Sequence, residues 1–126
     1  MNGRRFFGYF AVLVIVILIG GRPAFANKSS VRIEAPAQAA VGQEITIILH
    51  VSHDGNNFLH YTDWVYVTVN GEEIKRWEFG MFGTPESETF TREIKYTVTG
   101  PTVITAEADC NIHGSTGISE HTVTVP

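Results

Sequence analysis

Tyr61-Thr62-Asp63-Trp64-Val65-Tyr66-Val67-Thr68-Val69-Asn70-Gly71 is the stretch from which the architecture can be read. Val65, Val67 and Val69 fall on one face of an extended chain, and Trp64, Tyr66 and Thr68 on the other. A period of two is the mark of a strand with one buried face. Asn70-Gly71 then predicts a two-residue hairpin, because both central positions of a type I′ turn need positive φ. The return strand is expected over residues 72–79.

The same pattern extends in both directions. Val31-Arg32-Ile33-Glu34 is a short alternating run ended by Ala35-Pro36. Residues 44–51 contain Ile45-Thr46-Ile47-Ile48-Leu49, apolar enough for a central strand, and Asp54-Gly55-Asn56-Asn57 marks a loop over residues 52–59. Downstream come a loop over residues 80–85 and a strand over 90–98. A Gly100-Pro101 turn leads to strands over 102–108 and 121–125. Seven short strands separated by turns, with no helical period and no repeat, predict an all-β fold. It is a seven-stranded antiparallel immunoglobulin-like β-sandwich in one domain.

Residues 1–26 have a different character. Arg4 and Arg5 precede an apolar run over residues 6–19, Gly20, Gly21 and Pro23 break it, and Ala24-Phe25-Ala26 supplies a small-x-small cleavage site. This is the layout of a signal peptide cleaved after Ala26, with export to the periplasm or another extracytoplasmic space. A retained leader would instead anchor the chain in the membrane. Arg4-Arg5-Phe6-Phe7 loosely resembles a twin-arginine signal, and ordinary export suits it equally. Residues 27–126 carry six basic against thirteen acidic residues, a formal charge of −7, which argues against a nucleic-acid partner.

Chemistry concentrates in Cys110-Asn111-Ile112-His113-Gly114, which holds the single cysteine. A thiolate and an imidazole three residues apart can reach one ion from a tight turn. The bland reading is a buried cysteine near a chance histidine. Against it stand His50, His53 and His60 in one short stretch, with His121 outside both clusters. Loops from distant parts of a sandwich gather at its ends, so the two clusters read as one split metal site.

His60-Tyr61-Thr62-Asp63-Trp64-Val65, the Cys110–Gly114 turn and the strand pattern together resemble the superoxide reductase family, the desulfoferrodoxins and neelaredoxins, from about residue 31 onward. The resemblance implies a desulfoferrodoxin-like iron-binding domain over 27–126. Its mononuclear non-haem Fe(II)/Fe(III) centre would have four equatorial histidines, one axial cysteine and an open sixth position. Cys110 then corresponds to the axial thiolate that donates electron density during catalysis, and His113, His60 and His53 to three of the imidazoles. The family's first histidine lies in an E-K-H-x-P loop whose lysine attracts superoxide. The matching region here is read as Ile33-Glu34-Ala35-Pro36-Ala37, with neither residue. His50 is therefore expected to supply the fourth imidazole, the alternative being an ordinary strand residue. Lys75 or Arg76 stands in for the lysine if the return strand ends near the metal; otherwise both are solvated.

A thiolate opposite the open position would favour one-electron reduction of superoxide to hydrogen peroxide. The amides of Asn111, Ile112 and His113 are expected to donate to the sulfur, and Gly114 to keep a β-carbon away from the cluster. Trp64, Trp77, Phe79 and Phe90 are expected in the core. A superoxide-reducing oxidoreductase, fed by an unidentified electron donor protein, is the first reading. An iron-binding electron-transfer protein or sensor is the second. A blue-copper carrier fits less well, since its axial methionine should follow His113 and Met81 lies upstream. A homo-oligomer stays open.

Overall fold

The computed structural model describes residues 27–126. The expected leader over residues 1–26 lies outside the described residues. Seven strands follow in order: β1 (Ser30–Glu34), β2 (Glu44–Ser52), β3 (Thr62–Val69), β4 (Glu72–Glu78), β5 (Thr89–Thr97), β6 (Thr102–Cys110) and β7 (Ser119–Val123). They form two antiparallel sheets, ordered β1-β2-β5 and β4-β3-β6-β7. Among the described residues no helix is long and apolar enough to cross a membrane.

Alternation sets which residues fill the space between the sheets. Ile45, Ile47, Leu49 and Val51 of β2 are buried, as are Val65, Val67 and Val69 of β3 and Ile104, Ala106 and Ala108 of β6. Ile47 is wholly enclosed. Truncating it to Ala should cost about 2–5 kcal/mol, a large share of the ~5–15 kcal/mol by which domains are stable. The hairpin turns as expected, with φ of 50° at Asn70 and 84° at Gly71. Phe90 is buried, and Trp77 and Phe79 pack against the core. Trp64 departs from expectation. It lies on the outer face of β3, stacked on Tyr66 and capped by the Arg76 guanidinium, because it is out of phase with Val65.

Two irregularities bear on the site. The strand expected over 102–108 continues to Cys110, so the cysteine is the last residue of β6 rather than a loop residue. Opposite it, Thr62 pairs with Cys110 but Trp64 pairs with Asp109, which leaves Asp63 as an extra, bulged residue. Bulges re-aim side chains locally and collect beside functional sites.

Candidate metal centre

Cys110 and the turn after it are closed by reciprocal bonds, Cys110 N to Gly114 O (2.9 Å) and Gly114 N to Cys110 O (3.0 Å). Gly114 has φ +82°, and a β-carbon there would meet only Asp109 Oδ1, at 3.8 Å. The glycine therefore serves backbone conformation, not clearance for the cluster. Of the three amides expected to donate to sulfur, His113 N reaches Cys110 Sγ at 3.4 Å, whereas Asn111 N donates to Tyr61 O at 3.1 Å.

Asn111 joins the two halves of the site. Its Oδ1 accepts from Tyr61 N (3.0 Å) and its Nδ2 donates to Leu59 O (3.0 Å), so the turn is bolted to the segment bearing His60. That segment is itself an Asn-based turn. Asn57 Oδ1 accepts from Leu59 N and His60 N, and Asn57 and His60 exchange backbone bonds. His53 follows β2 directly, 4 % exposed, with its amide bonded to Glu88 O.

These constraints bring four donors together. Ligand atoms of His53, His60 and Cys110 all lie within 4.8 Å of one another. His113 Nδ1 is 3.1 Å from His60 Nε2 and 3.9 Å from Cys110 Sγ. Two nitrogens bound at about 2.1 Å and at right angles to one ion lie ~3 Å apart, so the spacing suits shared ligation. The donor states agree. Desolvation, then the neighbouring His53 and His113 rings, pull His60 below its ordinary pKa of 6.5, favouring the neutral ligand. His53 keeps Nε2 on the side of Asn27 O, 3.3 Å away, and leaves Nδ1 buried with no partner. The residues present fit a transition metal with imidazole and thiolate ligands.

Other expected residues lie elsewhere. His50 sits on the outer face of β2, its Nε2 3.4 Å from Glu34 Oε2, because strand alternation turns it away from the faces of Leu49 and Val51. His121 Nε2 donates to Pro36 O (2.9 Å), joining β7 to the connection after β1. Lys75 pairs opposite Val67, five residues along β3 from Thr62, roughly 16 Å from the level of Cys110. Arg76 is held by Glu73.

The Ile33–Ala37 stretch is also at the wrong end of β1, since Ser30 pairs with Ser52 beside the site and Glu34 with Ile48 away from it. Asn27-Lys28-Ser29 takes its place. Ser29 N donates to Gly114 O (3.2 Å), Thr116 N to Ser29 O (3.0 Å), and His53 Nε2 lies 3.3 Å from Asn27 O. Lys28 lines a shallow cavity of about 370 Å³ together with His53, Asp54 and Glu88. Lys28 thus shares a cavity with one of the clustered histidines, His53.

The sequence matches the Desulfoferrodoxin family model over residues 23–116. The chain belongs to the desulfoferrodoxin family. Among solved structures, it is similar to the superoxide reductase (neelaredoxin) of Ignicoccus hospitalis, with TM-score 0.62 and 20% identity over 86% of this chain and 89% of that one. It is also similar to the reduced superoxide reductase (neelaredoxin) of Archaeoglobus fulgidus, with TM-score 0.51 and 22% identity over 75% and 89% of the two chains. The CARDB domain of a Pyrococcus furiosus protein, solved with di-metal ions, overlays with TM-score 0.60 and 20% identity over 80% and 96%. At these identities the overlays speak for the fold alone. No curated protein matches the chain significantly. Desulfoferrodoxin membership and the sandwich together make this a superoxide-reductase-like fold.

Gly55 is a positioning residue that the sequence did not single out. A β-carbon there would sit 2.7 Å from His60 Nδ1, and its φ of +150° is one that side chains rarely adopt. Gly55→Ala should push the His60 ring aside and weaken metal binding roughly 10–100-fold, as losses around metal ligands do. Competition against a chelator measures this, with the circular dichroism of the sandwich unchanged.

The bulged Asp63 faces Asp109. Desolvation, then a hydrogen bond and charge repulsion from Asp109, push its pKa up from 3.8 to about 6. One shared proton also supplies a donor between two acceptor-only carboxylates. The folded chain therefore holds this proton more tightly than the unfolded one. The resulting stability is complete below about pH 4 and is lost as pH rises through about 6. Metal-free protein should show a urea midpoint that falls over that window, and Asp63→Asn should flatten it. Solvent screening keeps the effect modest.

Proposed function

We propose that the chain is an exported mononuclear non-haem iron protein that reduces superoxide to hydrogen peroxide. His53, His60 and His113 would supply imidazole nitrogens and Cys110 the thiolate. The observation that carries this is the convergence of those donors from the β2–β3 connection and from the end of β6 with the turn after it, some fifty residues apart. His50 stays outside the proposed set because its ring points away. Cleavage after Ala26 would release the folded domain to the periplasm or another extracytoplasmic space.

A bound ferrous ion would supply the single electron, and the thiolate would raise its donating power. The chain's own residues supply the surroundings. The His113 amide steadies the sulfur charge. Lys28 draws an anion toward the His53 side. Superoxide, having gained one electron, takes two protons from solvent to leave as hydrogen peroxide, and a donor protein must then return the electron. Phe58, Leu59 and Ile112, each about three-fifths exposed, border the centre and suit contact with such a donor.

The test is metal content, absorption and EPR of the native protein, followed by pulsed superoxide against the ferrous form. The expected result is one iron per chain, oxidised by superoxide with hydrogen peroxide as product. Iron that superoxide does not oxidise would leave an electron carrier or sensor. Copper or zinc as the native metal would remove both readings.

A further inference from the structure

Three imidazoles and a thiolate leave a six-coordinate ion short of donors, and His50 and His121 are engaged elsewhere. We infer that the main-chain carbonyl oxygen of Asn27 is a fifth protein ligand of the same centre, an oxygen donor in the place for which this chain brings no fourth imidazole. The inference rests on the metal centre proposed above.

The carbonyl is already aimed at the donors. Asn27 O lies 3.3 Å from His53 Nε2, and the His60 ring also meets the Asn27 backbone. Neighbouring ligand atoms on one ion are spaced at about this distance. Position is enforced from both sides. Two residues on, Ser29 exchanges backbone bonds with Gly114 and Thr116, and its hydroxyl meets Thr62 Oγ1 at 2.8 Å in the interior. The segment before β1 is thus stapled to the metal turn and to the start of β3, and Asn27 has little room to drift.

Exchange of a proton for a metal makes the ligation chemically natural. Without metal, an imidazole N–H donates to Asn27 O. When that nitrogen binds an ion, its proton leaves and the carbonyl loses its donor. A lone pair facing the ion without a partner would be costly, and ligation satisfies it. Oxygen is an acceptable donor for iron alongside imidazole. A main-chain ligand has no residue type, which is why a search for histidines, cysteines and carboxylates passes it by.

Asn27-Lys28 is the only Asn-Lys pair in the sequence. Full-length protein made with carbonyl-carbon-13 asparagine and nitrogen-15 lysine therefore gives one NMR line for the Asn27 carbonyl when filtered through its one-bond coupling to the Lys28 nitrogen. The protein is loaded with cadmium, once as a spin-active and once as a spin-silent isotope. The expected result is a carbonyl line split into a doublet by the spin-active isotope alone, reporting a through-bond link from metal to carbonyl. A single unsplit line, with the His53, His60 and His113 ring signals shifted, overturns the inference and spares the centre. Ring signals that do not respond to cadmium overturn the centre and the inference together.

Discussion

Cys110→Ser should leave the sandwich folded, abolish the sulfur-to-iron absorption band and strip most of the iron. Cys110 is 2 % exposed at the end of β6, and serine replaces it with little change of volume. The bonds that shape the turn, Cys110 N to Gly114 O and back, are backbone bonds and survive. The cost to the metal-free fold should be about 1 kcal/mol, the ordinary size for a point change that opens no large cavity. The cost to the centre is of another order. The sulfur is the common neighbour of His113 Nδ1 and of the His113 amide, and the shorter hydroxyl would be a neutral, weaker donor. Outer contacts of metal ligands are worth ~10–100-fold in affinity, so loss of the thiolate itself should exceed that. Absorption, iron content and circular dichroism of one preparation separate the two effects. A sulfur band that persists in the serine variant would show that Cys110 does not bind the iron.

The fold was legible because each strand carried its own evidence. Alternation in β3 and Asn70-Gly71 needed no knowledge of the rest of the chain, and both hold in the structure. Cys110 and His113 were legible for the same local reason. What escaped the sequence were relations between strands. His50 lies three residues from His53, but β2 runs on through Ser52, so a period of two sends the ring to the outer face. Ring and backbone partners of His53 depend on where the chain enters β1, which only the pairing of Ser30 with Ser52 reveals. For that reason the sequence points to Ile33–Ala37 where the fold places Asn27 and Lys28. Asn111 was visible inside the turn motif, yet its task of joining residues 59–61 to the turn is a contact across 50 positions or more. Trp64 looked like core by residue type, and its phase against Val65 was the better guide.

That register has a kinetic consequence. Lys28→Ala should slow the reaction of the ferrous protein with superoxide about tenfold at low salt, the lower end of electrostatic steering effects. Superoxide is an anion, and residues 27–126 carry a formal charge of −7, so the wider field opposes its approach. Beside His53, Lys28 shares its cavity with Asp54 and Glu88. Lys28→Ala removes one positive charge from a cavity that Asp54 and Glu88 also line. Salt distinguishes this from a packing defect. The Debye length shrinks from about 10 Å at 0.1 M to about 3 Å at 1 M, so the ratio of wild-type to variant rates should fall toward one as salt rises. A defect in the centre would persist at every ionic strength. Lys75→Ala serves as the control, since that side chain sits over Trp77 on the hairpin, far along the β3–β4 ladder. Its rates should match the wild type throughout. Equal rates for wild type and the Lys28 variant at low salt, or an equal loss from Lys75→Ala, would mean that the field reaching the iron is not set by Lys28.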